Sequence, residues 1–359
     1  MVNNLVKKSK SIFLIGLITF VMLELSLFII SHSGVLNIIL PIYKMNDSED
    51  FLPERSLLYG HRHLPNSDYE IKKNCLHTYY HFNNLGFRDA DHTQKSDQKR
   101  IIVLGDSFME GVAVDETERL SDLLEKETGI PHLNFAMADK GSTQAYIIYE
   151  SIASSYEHDG ILLSVFPVND LIDDDPNWGK TENSIRPCWE GTFPNYELKF
   201  FPPNAPIKKQ TSKWKQFLKS YTYTYDALFY LKESLRTGIG NRKNYPQTSY
   251  YAYSEEQLNR IKYSLLKLKE KAENKPITLI CIPSHLDFQL TDKKQESIEK
   301  PLSAFCELIG IEFIGMMELF KEKSAAPQQA FYYACDSHWN ANGHATAKEI
   351  VKNKSQLYQ

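Results

Sequence analysis

Arg100-Ile101-Ile102-Val103-Leu104-Gly105, followed at once by Asp106-Ser107-Phe108, is a run of four aliphatic residues that ends in a glycine turn. A short, continuous apolar run is what a strand needs when both its faces are buried, as in a parallel sheet. Residues 117–128 then have helical patterning closed by Gly129 and Pro131. HLNFAM is a second strand, 143–155 a second helix and ILLSVF (161–166) a third strand. Much later, Ser254 and Gln257 stand in capping-box spacing ahead of a helix with Leu258, Ile261, Leu265 and Leu268 in one stripe. ITLICI (277–282), a helix over 296–309, the short strand IEFIG and a last helix from about Asn342 to Lys352 complete the alternation.

Strands alternating with helices imply a parallel sheet covered on both faces. With right-handed crossovers the natural topology is a flavodoxin-like three-layer α/β/α sandwich, whose site lies at the carboxyl ends of the strands. Residues 171–253 interrupt the pattern. They open with the acidic Leu171-Ile172-Asp173-Asp174-Asp175, expected as a solvated loop, and then turn aromatic. Between positions 178 and 253 lie 3 Trp, 5 Phe and 9 Tyr, about twice an even share, so the stretch reads as a cap inserted over the strand ends. Lys208, Lys209, Lys213 and Lys215 read as a solvated face.

With 41 Lys and Arg against 45 Asp and Glu, the net charge of −4 disfavours a polyanion such as nucleic acid as the main partner. The five cysteines lie far apart with no C-x-x-C pair, which argues against a zinc ribbon or a dense disulfide scaffold. Cys335, next to Asp336, is a candidate to pair with Cys188 or another cysteine in an oxidising compartment.

Residues 11–30 read SIFLIGLITFVMLELSLFII, in which 15 of 20 are apolar and only Glu24 is charged. As a helix this run spans roughly 30 Å, the thickness of a bilayer's hydrocarbon core. Lys7, Lys8 and Lys10 precede it, so the positive-inside rule puts the N-terminus in the cytoplasm and the rest of the chain outside. A cleaved signal peptide is the competing reading. Against it, the run exceeds the about 7–15 residues of a signal core, and no small-residue cleavage site follows. Glu24 is costly in such a span unless protonated, paired or facing another helix. A second apolar stretch, 35–43, is expected along the membrane surface. The division expected is an anchor over 1–33, a stalk and lead-in over 34–98, and a catalytic domain over 99–357 that contains the cap.

Ser107, directly after the first strand, stands where a strand-to-helix turn presents a hydroxyl at the sheet edge. Taken alone it reads equally as a helix cap. Asp336 and His338, two apart and just ahead of the last helix, can share one loop. The carboxylate then fixes the imidazole's tautomer, and the other ring nitrogen takes the proton of Ser107. Taken alone the pair, with His344 six residues on, could be half a metal site, but no further ligand is placed for it and neither metal nor cofactor is expected. An acyl-transfer site also needs donors for a developing oxyanion. A backbone N–H in the turn 139–141 (Asp139, Gly141) and the amide of Asn169 are suitable, although each is singly an ordinary turn residue. His285, after the fourth strand, is a further rim candidate.

Together these pieces resemble the SGNH, or GDSL-type, hydrolases. Gly105-Asp106-Ser107-Phe108 is similar to the first block of that family, with Ser107 as nucleophile. Asn169 in Val-Asn-Asp resembles the third block's oxyanion donor, and Asp336 with His338 the fifth block's acid and base. Asn84-Leu85-Gly86-Phe87-Arg88-Asp89 is similar to a segment found just before the first strand of bacterial members. The resemblance runs from 84 to 352 with the cap unmatched. It departs at Asp139, where the family usually has glycine; a carboxylate there is unfavourable beside an oxyanion unless it points away. The last block is Asp-x-His followed by Trp-Asn, which resembles the membrane-anchored or secreted enzymes of polysaccharide O-acetylation. The resemblance therefore implies a membrane-anchored serine esterase or O-acyltransferase. Its substrates would be small esters or acylated glycans, foremost acetylated, outside the cytoplasm. The alternative is a catalytically inactive glycan-binding or scaffold protein of the cell envelope, motivated by Asp139.

Overall fold

The computed structural model describes residues 2–32, 54–56, 58–73, 76–177, 186–200, 212–225, 227–228, 231, 249–290, 295–333 and 336–359. The apolar stretch 35–43, Lys208, Lys209 and Cys335 with its proposed pairing lie outside them.

Helix α1 (Val2–His32) contains one segment, Lys8–Ile30, that is long and apolar enough to cross a membrane. Two antiparallel hairpins follow: β1 (Glu54–Ser56) with β2 (Gly60–Arg62), and β3 (Ser67–Lys73) with β4 (Leu76–Phe82). β4 alternates buried and exposed residues, the signature of a strand with one face on a core. These hairpins belong to the stretch expected as stalk and lead-in, yet Tyr59, Leu76 and Phe87 are buried in the main hydrophobic cluster.

The central sheet contains β5 (Ile101–Leu104), β6 (His132–Asn134), β7 (Gly160–Val165), β10 (Ile277–Cys281) and β11 (Glu312–Gly315), all parallel. Its order is β11-β10-β7-β5-β6, the flavodoxin-like arrangement, so the order reverses beside β5. Every residue of β5, β7 and β10 is buried, as suits strands made mostly of aliphatic residues with both faces covered. The intervening helices are α2 (Ser107–Glu110), α3 (Leu120–Thr128), α4 (Ser142–Ser151), α5 (Pro167–Asp173), α6 (Lys213–Tyr221), α7 (Glu255–Ala272), α8 (Glu299–Ile309), α9 (Met316–Lys323), α10 (Pro327–Ala330) and α11 (Ala341–Lys354). α7 starts at the Ser254–Gln257 capping box and buries Leu258, Ile261, Leu265 and Leu268. Two buried clusters, one on each side of the sheet, make the three layers.

Within the cap, β8 (Cys188–Thr192) pairs antiparallel with β9 (Asn195–Lys199). Trp189, Tyr196 and Phe193 pack around Tyr263 of α7, and the Trp189 indole N–H donates to Ser264 at 2.9 Å. Those cap aromatics thus form a core against α7.

Candidate active site

β5 is followed by Gly105, whose φ of +144° only glycine adopts freely. A Cβ there would stand 2.2 Å from Ser164 Oγ on the neighbouring strand and 2.9 Å from Met109 Cγ. The turn is therefore pinched between β7 and α2, and Asp106 caps α2 by accepting from the Phe108 N–H at 3.1 Å. Ser107 is the first residue of α2 and is buried.

The loop before α11 approaches from the opposite end of the sequence. Asn340 caps α11 by accepting from the Gly343 N–H at 2.9 Å, and its amide donates back to Ala330 O and Tyr332 O. Trp339 is fully buried edge-on to Phe108, at 5.1 Å between ring centroids. Held in this way, His338 Nε2 lies 2.7 Å from Ser107 Oγ, although 231 residues separate the two. Asp336 Oδ1 accepts from both the backbone N–H of His338 at 3.0 Å and its ring Nδ1 at 2.5 Å. One carboxylate oxygen thus fixes the backbone and the ring of the same histidine, which is how the short Asp-x-His spacing closes. The ring Nδ1 then carries the proton, and Nε2 is the atom that faces the hydroxyl. His344 is buried edge-on against Trp339, and burial lowers its pKa to about 3. His285 lies 6.0 Å from the Tyr332 ring, and burial lowers it to about 4.

The turn after β6 lies against α2, where the Ala138 N–H donates to Glu110. Asp139 has φ +64°, the left-handed conformation that glycine adopts most easily and Asp tolerates better than most residues. Its carboxylate forms an ion pair with Arg186 from the cap, and Arg186 also pairs with Asp173. The charge that is unfavourable beside an oxyanion is thereby neutralised by a guanidinium. The Gly141 N–H, one of the expected oxyanion donors, is already used: it donates to Gln144 Oε1 at 2.7 Å at the start of α4. That corrects the assignment of Gly141. Among the described residues neither Asp139 N–H nor Ser107 N–H has an acceptor. Asn169 sits half-buried in the first turn of α5.

The acidic stretch is not the solvated loop expected. Asp173 and Asp174 are buried. Asp174 accepts from the Ser142 hydroxyl and, at 3.0 Å, from the Thr143 N–H, so it caps α4. Burial pushes Asp173 up to about 7 against the pull of Arg186, and it raises Asp174 as well. Asp106 rises to about 7, and Asp170 rises well above the ordinary range. Burial is the main cause for both, and repulsion between carboxylates adds to it for Asp170.

Several residues that shape this site carry no motif. Glu110, fully buried on α2, accepts from the Ala138 N–H and meets His63 Nε2 at 3.0 Å. Burial alone would raise its carboxyl, but His63, the Ala138 N–H and Arg88 outweigh it and leave it below its usual range. Arg88, from the lead-in, donates to Val114 O at 2.8 Å and to Gly111 O, with its guanidinium 3.7 Å above the Tyr80 ring. Lys140 is buried and donates to Ala138 O and Asp139 O; burial lowers it to about 8 against Asp139. The sequence signals for this set are a charged residue three positions after Ser107, and Arg88 near the end of the Asn84–Asp89 segment.

No family model matches the sequence, and no curated protein matches it. Among solved structures the chain is similar to a member of the lipolytic G-D-S-L family from Veillonella parvula, at 11% identity over 72% of this chain and 98% of that one, with a TM-score of 0.38. It is also similar to a lipase/acylhydrolase from Enterococcus faecalis, at 11% identity over 72% and 99%, TM-score 0.40. A salicylyl-acyltransferase from a tetracycline biosynthetic pathway matches at 12% identity over 73% of this chain and 55% of that one, TM-score 0.41.

Proposed function

We propose that this chain is a serine esterase or O-acyltransferase of the SGNH type. The observation that carries the reading is the 2.7 Å contact between Ser107 Oγ and His338 Nε2, with Asp336 on the far ring nitrogen. Ser107 Oγ attacks the carbonyl carbon of an ester while its proton passes to His338 Nε2, and the imidazolium is stabilised by Asp336. The carbonyl oxygen, now an anion, is held by the Ser107 N–H, the Asp139 N–H and the Asn169 amide. Collapse of the tetrahedral intermediate breaks the C–O bond of the leaving group, and His338 returns the proton to that oxygen. Water or a sugar hydroxyl then gives its proton to His338 and attacks the acyl-serine, which frees Ser107.

The finer reading is that the acceptor or substrate is an acylated, foremost acetylated, carbohydrate outside the cytoplasm. Its support is the Asp-x-His-Trp-Asn ending and the aromatic cap. α1 is proposed as an uncleaved membrane anchor, residues 34–98 as stalk and lead-in, and 99–357 as the catalytic domain with its cap at 171–253. Asp139 motivates an inactive binding protein as the alternative, and its pairing with Arg186 supports the catalytic reading. A fluorophosphonate probe tests the assignment. Covalent labelling of the wild-type chain, absent in Ser107→Ala of equal thermal stability, is the expected result. Failure of folded wild-type protein to label would sink it.

A further inference from the structure

Helix α6 carries Trp214, Phe217 and Tyr221 on one face, all at least 48% exposed. Their rings follow one another at 5.6 Å and 5.0 Å between centroids, so the face is one continuous aromatic stripe. Leu228 and Leu231, just beyond, are also exposed. In water such a stripe is a cost without return, and contiguous exposed apolar surface marks an interaction site.

What covers it is indicated by α1. Along the outer half of that helix the half-buried positions are Glu24, Leu27 and Ile30, one face at helical spacing. The Glu24 carboxylate accepts from the backbone N–H groups of Tyr223 and Thr224, each at 2.8 Å, directly after α6 ends. Phe28 meets the Tyr223 ring edge-on at 5.9 Å. Glu24 lies six residues inside the end of the apolar span at Ile30, which is about 9 Å of helix. Backbone amides at that depth in hydrocarbon must be paired, and Glu24 pairs two of them. The end of α6 is therefore held about 9 Å inside the outer hydrocarbon boundary, within the roughly 5–10 Å to which amphipathic helices rich in Trp and Tyr sink when they lie flat.

We propose that α6 docks the cap into the outer leaflet of the bilayer, with Trp214, Phe217 and Tyr221 as its buried face and Glu24 as the clamp that ties it to α1. This rests on the reading of α1 as a membrane anchor.

The test uses the full chain reconstituted in phosphatidylethanolamine/phosphatidylglycerol vesicles whose acyl chains are brominated near the headgroup end. The emission of wild type minus that of Trp214→Phe isolates Trp214, and retention of the protein after alkaline carbonate washing reports the anchor. Retained protein whose Trp214 emission loses about half its intensity to the brominated lipid is the expected result. In Glu24→Leu, retention should persist while that quenching shrinks. Retained protein with unquenched Trp214 would overturn the docking and leave the anchor standing, whether water, a second copy or another protein covers the stripe. Protein washed from the vesicles would overturn the anchor and the docking together. Quenching unchanged in Glu24→Leu would remove Glu24 as the clamp.

Discussion

The loop of Asp336–His338, which reaches Ser107, and the turn of Asp139, which lies against α2 through Glu110, are fixed by different means. The first is held from within its own neighbourhood: Asp336 binds the histidine two residues on, Trp339 packs beneath it and Asn340 caps the helix that follows. The second is held from outside. Glu110 on α2 grips the Ala138 N–H, His63 from the lead-in supports Glu110, and Arg186 from the cap neutralises Asp139. A self-contained loop tolerates change elsewhere in the molecule. A turn held by remote charges inherits every change in the elements that supply them.

The largest test of this contrast is at the self-contained loop. Asp336→Asn keeps the shape but reverses the tautomer preference of His338, and should lower turnover of a p-nitrophenyl ester by about 10⁴-fold with little change in KM. A loss of less than tenfold would mean that the backbone contact, and not the ring, is the use of Asp336. Next in size, Asn169→Ala removes one proposed oxyanion donor and should cost about a hundredfold in turnover. Full activity in that variant would leave the turn of Asp139 as the main donor.

The remote hold on Asp139 predicts non-additivity. Arg186→Met leaves the Asp139 and Asp173 carboxylates buried without their partner and should cost about tenfold in turnover, together with a lower melting temperature. Asp139→Gly frees the left-handed position from its side chain and makes the guanidinium less necessary. The double variant should therefore recover much of the loss, a coupling of about 1–2 kcal/mol in a double-mutant cycle. Simple additivity would show that Arg186 serves Asp173 and the cap, and not the turn.

The same contrast explains what could be read from the sequence. The sheet was legible because each buried strand is a short aliphatic run between turn residues, and the order of strands follows from right-handed crossovers. Ser107, Asp336 and His338 were legible because their local spacing reports their local geometry. Glu110, His63 and Arg186 were not, because each acts through a partner distant in sequence or drawn from a motif-free stretch, and a single charged residue has many possible partners. Asp173 and Asp174 were misread for the same reason: a run of three acids reads as solvated until Arg186 and the start of α4 are brought to it. Gly141 is no free donor, because Gln144 takes its N–H, a bond that the spacing of the two residues does not announce.

The smallest expected effect concerns the buried carboxyls behind the serine. Burial raises Asp106 to about 7 and Asp170 well above the ordinary range. An unfolded aspartate titrates near 3.9, so the folded state holds these protons more tightly than the unfolded chain does. For Asp106 that contribution to stability is full below about pH 4 and is lost as pH rises through about 7. Buried histidines with lowered pKa, such as His132 and His285, act in the opposite direction below their unfolded value, so total stability alone does not isolate the carboxyls. Comparison with Asp106→Asn cancels the histidines. Between pH 5 and 8 the urea stability of the wild type should fall more steeply than that of the variant. The difference in slope is bounded by about 1.4 kcal/mol per pH unit, the linkage value of a single proton. Parallel slopes would mean that Asp106 is ionised throughout that range in the folded protein, with Phe108 N–H and His338 outweighing its burial beside Ser107.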